Sequence, residues 1–186
     1  MPDSRRSNRG PSAAAENRAA LIAAAREVFA SAGYNAPLSA VARAAGVGQG
    51  SLYRHFPDRI SLAMAVFEDG VTQLEALAAE PGATLDDVLA LITEQTIDST
   101  AFIDMVTTPP TDPDPRVLEV RDRVANLLAG MLPAARRAGA VRDDVTAEDL
   151  VLVIGMVAGV LAKTPAPRRR VVAGQAWRLL RKGMAP

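Results

Sequence analysis

The sequence predicts an all-α fold of about nine helices, a small three-helix unit followed by a larger helical one. Three observations lead there. Alanine and leucine dominate while β-branched alternation is scarce, apolar residues recur at three- and four-residue steps, and the breaks between such stretches fall at proline or glycine.

Taken in order, residues 1–15 are polar and basic, contain Pro2, Gly10 and Pro11, and read as a flexible arm. A first helix then runs to Ala32, with Leu21, Ile22, Ala25, Val28 and Phe29 on one face and Gly33 as its left-handed stop. Pro37 can open a second helix that Gly46 ends after two or three turns, and a short third helix covers Gln49 to His55. Asp58 suits the start of a long fourth helix that ends before Pro81-Gly82. Thr84, with Asp86 and Asp87 behind it, caps a fifth. A short sixth is expected over Thr100–Thr107, before the proline-rich loop 108–115. Asp114 and Pro115 begin a seventh helix, which Pro133 should kink and Gly139 should end. Thr146, followed by Glu148 and Asp149, caps an eighth, and a ninth spans Arg168 to Lys182.

Composition narrows the chemistry. Hydrophobic residues make up 49% of the 186 and charged ones 23%, a balance that folds. Cysteine is absent, which removes disulfides, thiolate zinc sites and cysteine nucleophiles, and His55 is the single histidine. Adjacent acids at Asp86-Asp87 and Asp143-Asp144 do not face one another as an acid–base pair would, and they read as cap and loop chemistry. No phosphate-cradling glycine loop, nucleophile elbow or metal-ligand spacing is present, so neither enzyme, metal nor cofactor is expected. The longest apolar run, Leu150 to Ala162, is too short to span a bilayer, and no secretory signal is legible; a cytoplasmic address is the expectation.

Charge is zero overall but unevenly placed. Residues 1–60 carry eight arginines against four acids, residues 61–167 carry seventeen acids against seven bases, and residues 168–186 carry six bases and no acid. A basic head on an acidic body suggests that the head meets a polyanion.

The head also holds the most informative stretch, Leu38 to Pro57. Two short helices meet at Gly46, with alanines where their axes must approach and Val41, Val47, Leu52 and Phe56 placed to pin the angle. That is helix-turn-helix grammar, in which the second helix meets the major groove with its N-terminal end. Val41-Ala42, Ala45-Gly46-Val47, Gly50-Ser51-Leu52-Tyr53 and His55-Phe56 follow a motif of an apolar–Ala pair, Ala-Gly-Val, and Gly-[Thr/Ser]-Leu-Tyr-x-His-Phe. Over residues 16–70 the sequence resembles the TetR family of bacterial one-component regulators. The resemblance implies a helix-turn-helix DNA-binding domain over residues 16–57 and a helical ligand-binding and dimerisation domain over 58–186. It also implies a transcriptional regulator, most often a repressor released by ligand.

Carried onto this sequence, the resemblance makes Ser39, Arg43, Gly48, Gln49, Ser51, Tyr53, His55 and Arg59 the expected DNA-contacting set. Tyr53 and His55 would donate to phosphates, Ser51 would touch a phosphate or base edge, and Gln49 could pair bidentately with adenine. Arg43 could reach guanine or phosphate, and Arg59 stands where many members place a phosphate-binding lysine. Ala36-Pro37 replaces the family's Ser or Thr cap before the second helix, leaving that hydroxyl contact absent or taken by Ser39. Gly48 and Gly50 leave the reading helix with few side chains at its start.

A pseudo-palindromic double-stranded operator, with half-sites about 34–36 Å apart, then calls for a homodimer. Val151, Ile154, Gly155, Ala158, Gly159 and Ala162 combine apolar and small residues at helical steps and are the expected interface, with Trp177; packing within one subunit is the alternative. Met64, Phe67, Phe102, Met105 and Met131, with polar Gln95 and Asn126, are candidates for enclosing a small apolar effector, though core packing explains such side chains as well. A helix-turn-helix adaptor answering to a protein partner and no ligand is the rival reading.

Overall fold

The structure is a computed structural model in which residues 11–98 and 115–186 are described. Eight helices and no strand occur among them: α1 Pro11–Ala32, α2 Leu38–Ala44, α3 Gln49–His55, α4 Arg59–Ala78, α5 Leu85–Asp98, α6 Pro115–Arg137, α7 Ala147–Ala162 and α8 Ala166–Met184. The short helix expected over Thr100–Thr107 lies outside the described residues.

The local signals explain most boundaries. Asp58 caps α4 by accepting from the Ser61 amide at 2.6 Å. Thr84 and Asp87 bond reciprocally at the start of α5. Thr146 and Asp149 form a full capping box on α7, satisfying two backbone donors that a helix start otherwise leaves bare. One boundary differs from expectation. α1 begins at Pro11, so the last five residues of the expected arm are helical. Proline at the first helical position loses nothing, and Ala13-Ala14-Ala15 behind it are strong helix formers.

Two hydrophobic clusters organise the chain. The first joins Leu21, Ala25 and Phe29 of α1 to Val41, Leu52 and Phe56, and is completed by Leu62–Val66 and Val71 of α4 and by Val120 of α6. The second gathers Leu74 of α4 with α5, the later part of α6, α7 and α8, around Val88, Leu128, Leu150 and Leu161. Each such fully buried side chain is worth about 1.5–3 kcal/mol. α4 and α6 therefore run through both clusters, with Val124 packed against each. Two ion pairs fasten α4 from the side: Arg26 of α1 holds Asp69 at 2.5 Å, and Arg123 of α6 grips Glu75 bidentately at 3.0 and 2.7 Å. Gly70 of α4, next to Val71, leaves room for Gln95 of α5, whose amide donates to the Gly70 carbonyl at 3.1 Å.

Candidate nucleic-acid interface

The turn between α2 and α3 is built from backbone bonds. The Val47 amide donates to Ala42 O at 2.9 Å and the Gly46 amide to Arg43 O at 3.1 Å, while Gly46 adopts φ +66°. This is a Schellman closure, which needs a left-handed residue at the position Gly46 fills. The turn redirects the chain so that Val41 and Leu52, both wholly buried, and Phe56 press into the first cluster from two helices, with Val47 packed against them. The four pins expected from sequence thus all lie at the join.

With those residues turned inward, the outer face is polar. Ser39, Arg43, Gly48, Gln49 and Tyr53 are exposed, Ser51 and His55 half-buried. Ser39, Arg43 and Gln49, with Ala42 and Val47, line a shallow depression between α2 and α3. Tyr53 is 51% exposed and belongs to neither hydrophobic cluster, so its ring is spared from the core. His55 lies 6.3 Å from the Phe56 ring, and Phe56 in turn carries the Arg18 guanidinium of α1 over its face at 5.3 Å. Arg54, not singled out from sequence, is exposed beside Tyr53. Pro37 holds the cap position of α2 with no side-chain bond, as the missing hydroxyl foretold.

Arg59 departs from the group. Its Nη1 donates inward to Tyr34 O at 2.5 Å and Ala36 O at 2.6 Å, and its guanidinium lies 5.4 Å from the Tyr34 ring centre. Burial beneath this contact raises the Tyr34 phenol above its ordinary value, with Arg59 pulling the other way.

The expected effector residues that are described fall in different places. Met64 is buried in the first cluster with Phe67 packed against it, whereas Met131 borders the second. Asn126 faces solvent, so it lines no interior site: the apolar stripe of α6 is carried by Val120, Val124 and Leu128 on the opposite side. Gln95 is engaged with Gly70 O and, at 3.5 Å, with Gln73. Phe102 and Met105 lie outside the described residues.

The residues expected at the pairing face divide between the two sides of α7. Ala158 is buried, and Val151 and Ile154 pack against the second cluster; Ala162 is half-buried. Trp177 is buried too, its indole Nε1 bonded to Thr93. From Leu150 onward α7 is apolar on every side, so periodicity could not choose which face turns inward. The exposed side instead carries Leu152 (63% exposed), Met156 and Val160 at four-residue steps, with Gly155 exposed and Gly159 half-buried alongside. Beyond it α8 exposes Val171 and Leu179, the latter 72%. No helix among the described residues is long and apolar enough to cross a membrane.

Residues 21–66 match the family of bacterial regulatory proteins of the tetR type, and residues 80–186 match the C-terminal domain of SbtR-like transcriptional regulators. No curated protein sequence matches the chain. Among solved structures it is similar to the TetR transcriptional regulator SCO0520 of Streptomyces coelicolor, at 27% identity and a TM-score of 0.67, over 91% of this chain and 98% of that one. A TetR regulatory protein of Mycobacterium vanbaalenii aligns at 28% identity and 0.61, over 94% and 98%. CprB of S. coelicolor aligns at 25% and 0.63, over 93% and 90%.

Proposed function

Since the chain belongs to the TetR family, whose members are DNA-binding transcriptional regulators, we propose that it is a homodimeric repressor released from its operator by a small apolar effector. The observation that carries the reading is the outward face of α2 and α3, where Ser39, Arg43, Gln49, Ser51 and Tyr53 stand clear of a core that their neighbours Val41, Leu52 and Phe56 fill. In the proposed complex Tyr53, His55 and Ser51 fix register on phosphates, and Gln49 and Arg43 read base edges, while Gly48 lets the helix start lie close to the duplex.

Pairing is assigned to the exposed apolar face of α7 and α8. A second copy laid across Leu152, Met156, Val160, Val171 and Leu179 removes them from water, and Gly155 permits close approach of the two helix axes. For the effector, half-buried Phe67, Gln95 and Met131 remain the candidates, one each on α4, α5 and α6. A ligand favouring one tilt of α4 would change the separation of the two reading heads; one binding both tilts equally would change nothing.

The test is selection of duplexes by the purified protein from a random-sequence pool, then titration of the selected duplex at several salt concentrations. Salt-dependent binding that prefers the selected duplex over unrelated DNA is expected. Binding without preference would overturn the operator reading, and a screen of apolar compounds in which none weakens the complex would overturn the effector.

A further inference from the structure

From the two carbonyl bonds of Arg59 we infer that this residue is a positioning residue for DNA reading, setting how α2 and α3 sit on α4, and not a phosphate contact. The inference rests on the operator reading above. Arg59 is the first residue of α4, and Tyr34 and Ala36 lie in the link between α1 and α2, 25 and 23 positions earlier. One guanidinium nitrogen bridges both carbonyls while the cation lies against the Tyr34 ring, itself 5.8 Å from Phe29 of α1. The link needs such an outside hold. Pro37 supplies no side-chain bond to the first turn of α2, and what fixes the turn locally is the Ala36 amide on Gly33 O and the Ala40 amide on Pro37 O. Arg59 ties this weakly capped start directly to the helix that runs through both clusters.

Arginine suits the task because its planar, always-charged head can donate along two directions and stack at once, whereas lysine offers a point charge. The two roles therefore separate under Arg59→Lys. A phosphate contact survives that change in charge and in salt dependence. A bridge between two carbonyls and a ring does not.

The experiment compares the full-length wild type with Arg59→Lys and Arg59→Gln, on a duplex selected by the wild type from a random pool and on an unrelated duplex, across a salt series. We expect both variants to lose about tenfold on the selected duplex, with affinity for the unrelated duplex and the salt slope unchanged. Tyr34→Leu, which removes the ring and leaves every charge, should lose selectivity in the same way, and it carries the test should the Arg59 variants melt below the assay temperature. Wild-type selectivity in Arg59→Lys or in Tyr34→Leu overturns the inference, as does a slope lowered by about one phosphate equivalent in Arg59→Gln. Absence of selective binding by the wild type would instead remove the operator reading, and this inference with it.

Discussion

The indole Nε1 of Trp177 donates to the hydroxyl of Thr93 at 2.7 Å, joining α8 to α5 through a bond that sequence gives no hint of, since 84 residues separate the pair. Trp177→Phe keeps most of the apolar contact and gives up this bond, so it should cost about 1 kcal/mol in denaturant melts. A double-mutant cycle with Thr93→Val isolates the bond: the Thr93 hydroxyl keeps its own donation to Leu89 O at 2.7 Å in Trp177→Phe, so the two losses should be less than additive. Additive effects would mean that the bond contributes nothing.

For the reading head, Tyr53→Phe should weaken binding by a similar factor on selected and unrelated duplexes, as removal of a phosphate donor does. Gln49→Ala should cost about 1–3 kcal/mol on the selected duplex and relax the preference at one base position. Competition titrations against single-base variants measure both. Identical behaviour of the two substitutions would contradict the division of roles.

The exposed face of α7 and α8 predicts a charge-sensitive association. Leu179→Glu or Met156→Glu should yield a helical monomer by light scattering with its melting cooperativity kept, since both side chains are exposed within one subunit. Gly155 offers a sharper contrast, because a Cβ there meets nothing within 4 Å in the single chain. Gly155→Ala should stabilise the isolated helix by up to about 1 kcal/mol, while Gly155→Leu should weaken pairing. Unchanged dimer mass in all of these would relocate the interface.

At the α2–α3 turn, Gly46→Ala should destabilise by about 1–2 kcal/mol, the cost of holding an L-residue in the left-handed region. Nothing stands within 4 Å of the position a Cβ would take, so the cost is conformational and not crowding. A chemical melt reads it directly; a neutral result would show that the turn relaxes to another geometry.

Acid should act on the helix starts. Bonds from Thr84 and Thr146 hold the Asp87 and Asp149 carboxyls below their ordinary 3.8, and Arg123 holds Glu75 below its ordinary 4.5. Groups with depressed folded values contribute stability that is fully present above the ordinary value and is lost as pH falls through the depressed one. Melting temperature should therefore be flat with respect to these groups above about pH 5 and fall below about pH 4. Asp149→Asn should lower stability at neutral pH and shallow that acid decline. An unchanged decline would assign it to other groups.

How much was legible in the sequence follows from the range of each determinant. The caps at Thr84 and Thr146, the stop at Gly46 and the four pins of the reading head could all be read in advance. The caps and the stop depend on backbone sterics or on bonds between residues three to five apart, and the pins on an apolar pattern within one short segment. The family motif added roles to that frame. Asn126 was misjudged because a polar residue on an apolar helix signals either a site or simply the solvent side, and only packing separates the two.

What the sequence alone determined, then, is the order of the described helices and the two-helix reading head, whose geometry is set within a few residues by allowed φ and ψ and by hydrogen bonds closing single turns. Tertiary structure decided which side of the apolar part of α7 loses water, that Trp177 turns to Thr93, and that Arg59 spends its charge on the carbonyls of Tyr34 and Ala36. The physical reason is that burial and partner choice depend on surfaces brought together from distant parts of the chain, which no local pattern encodes.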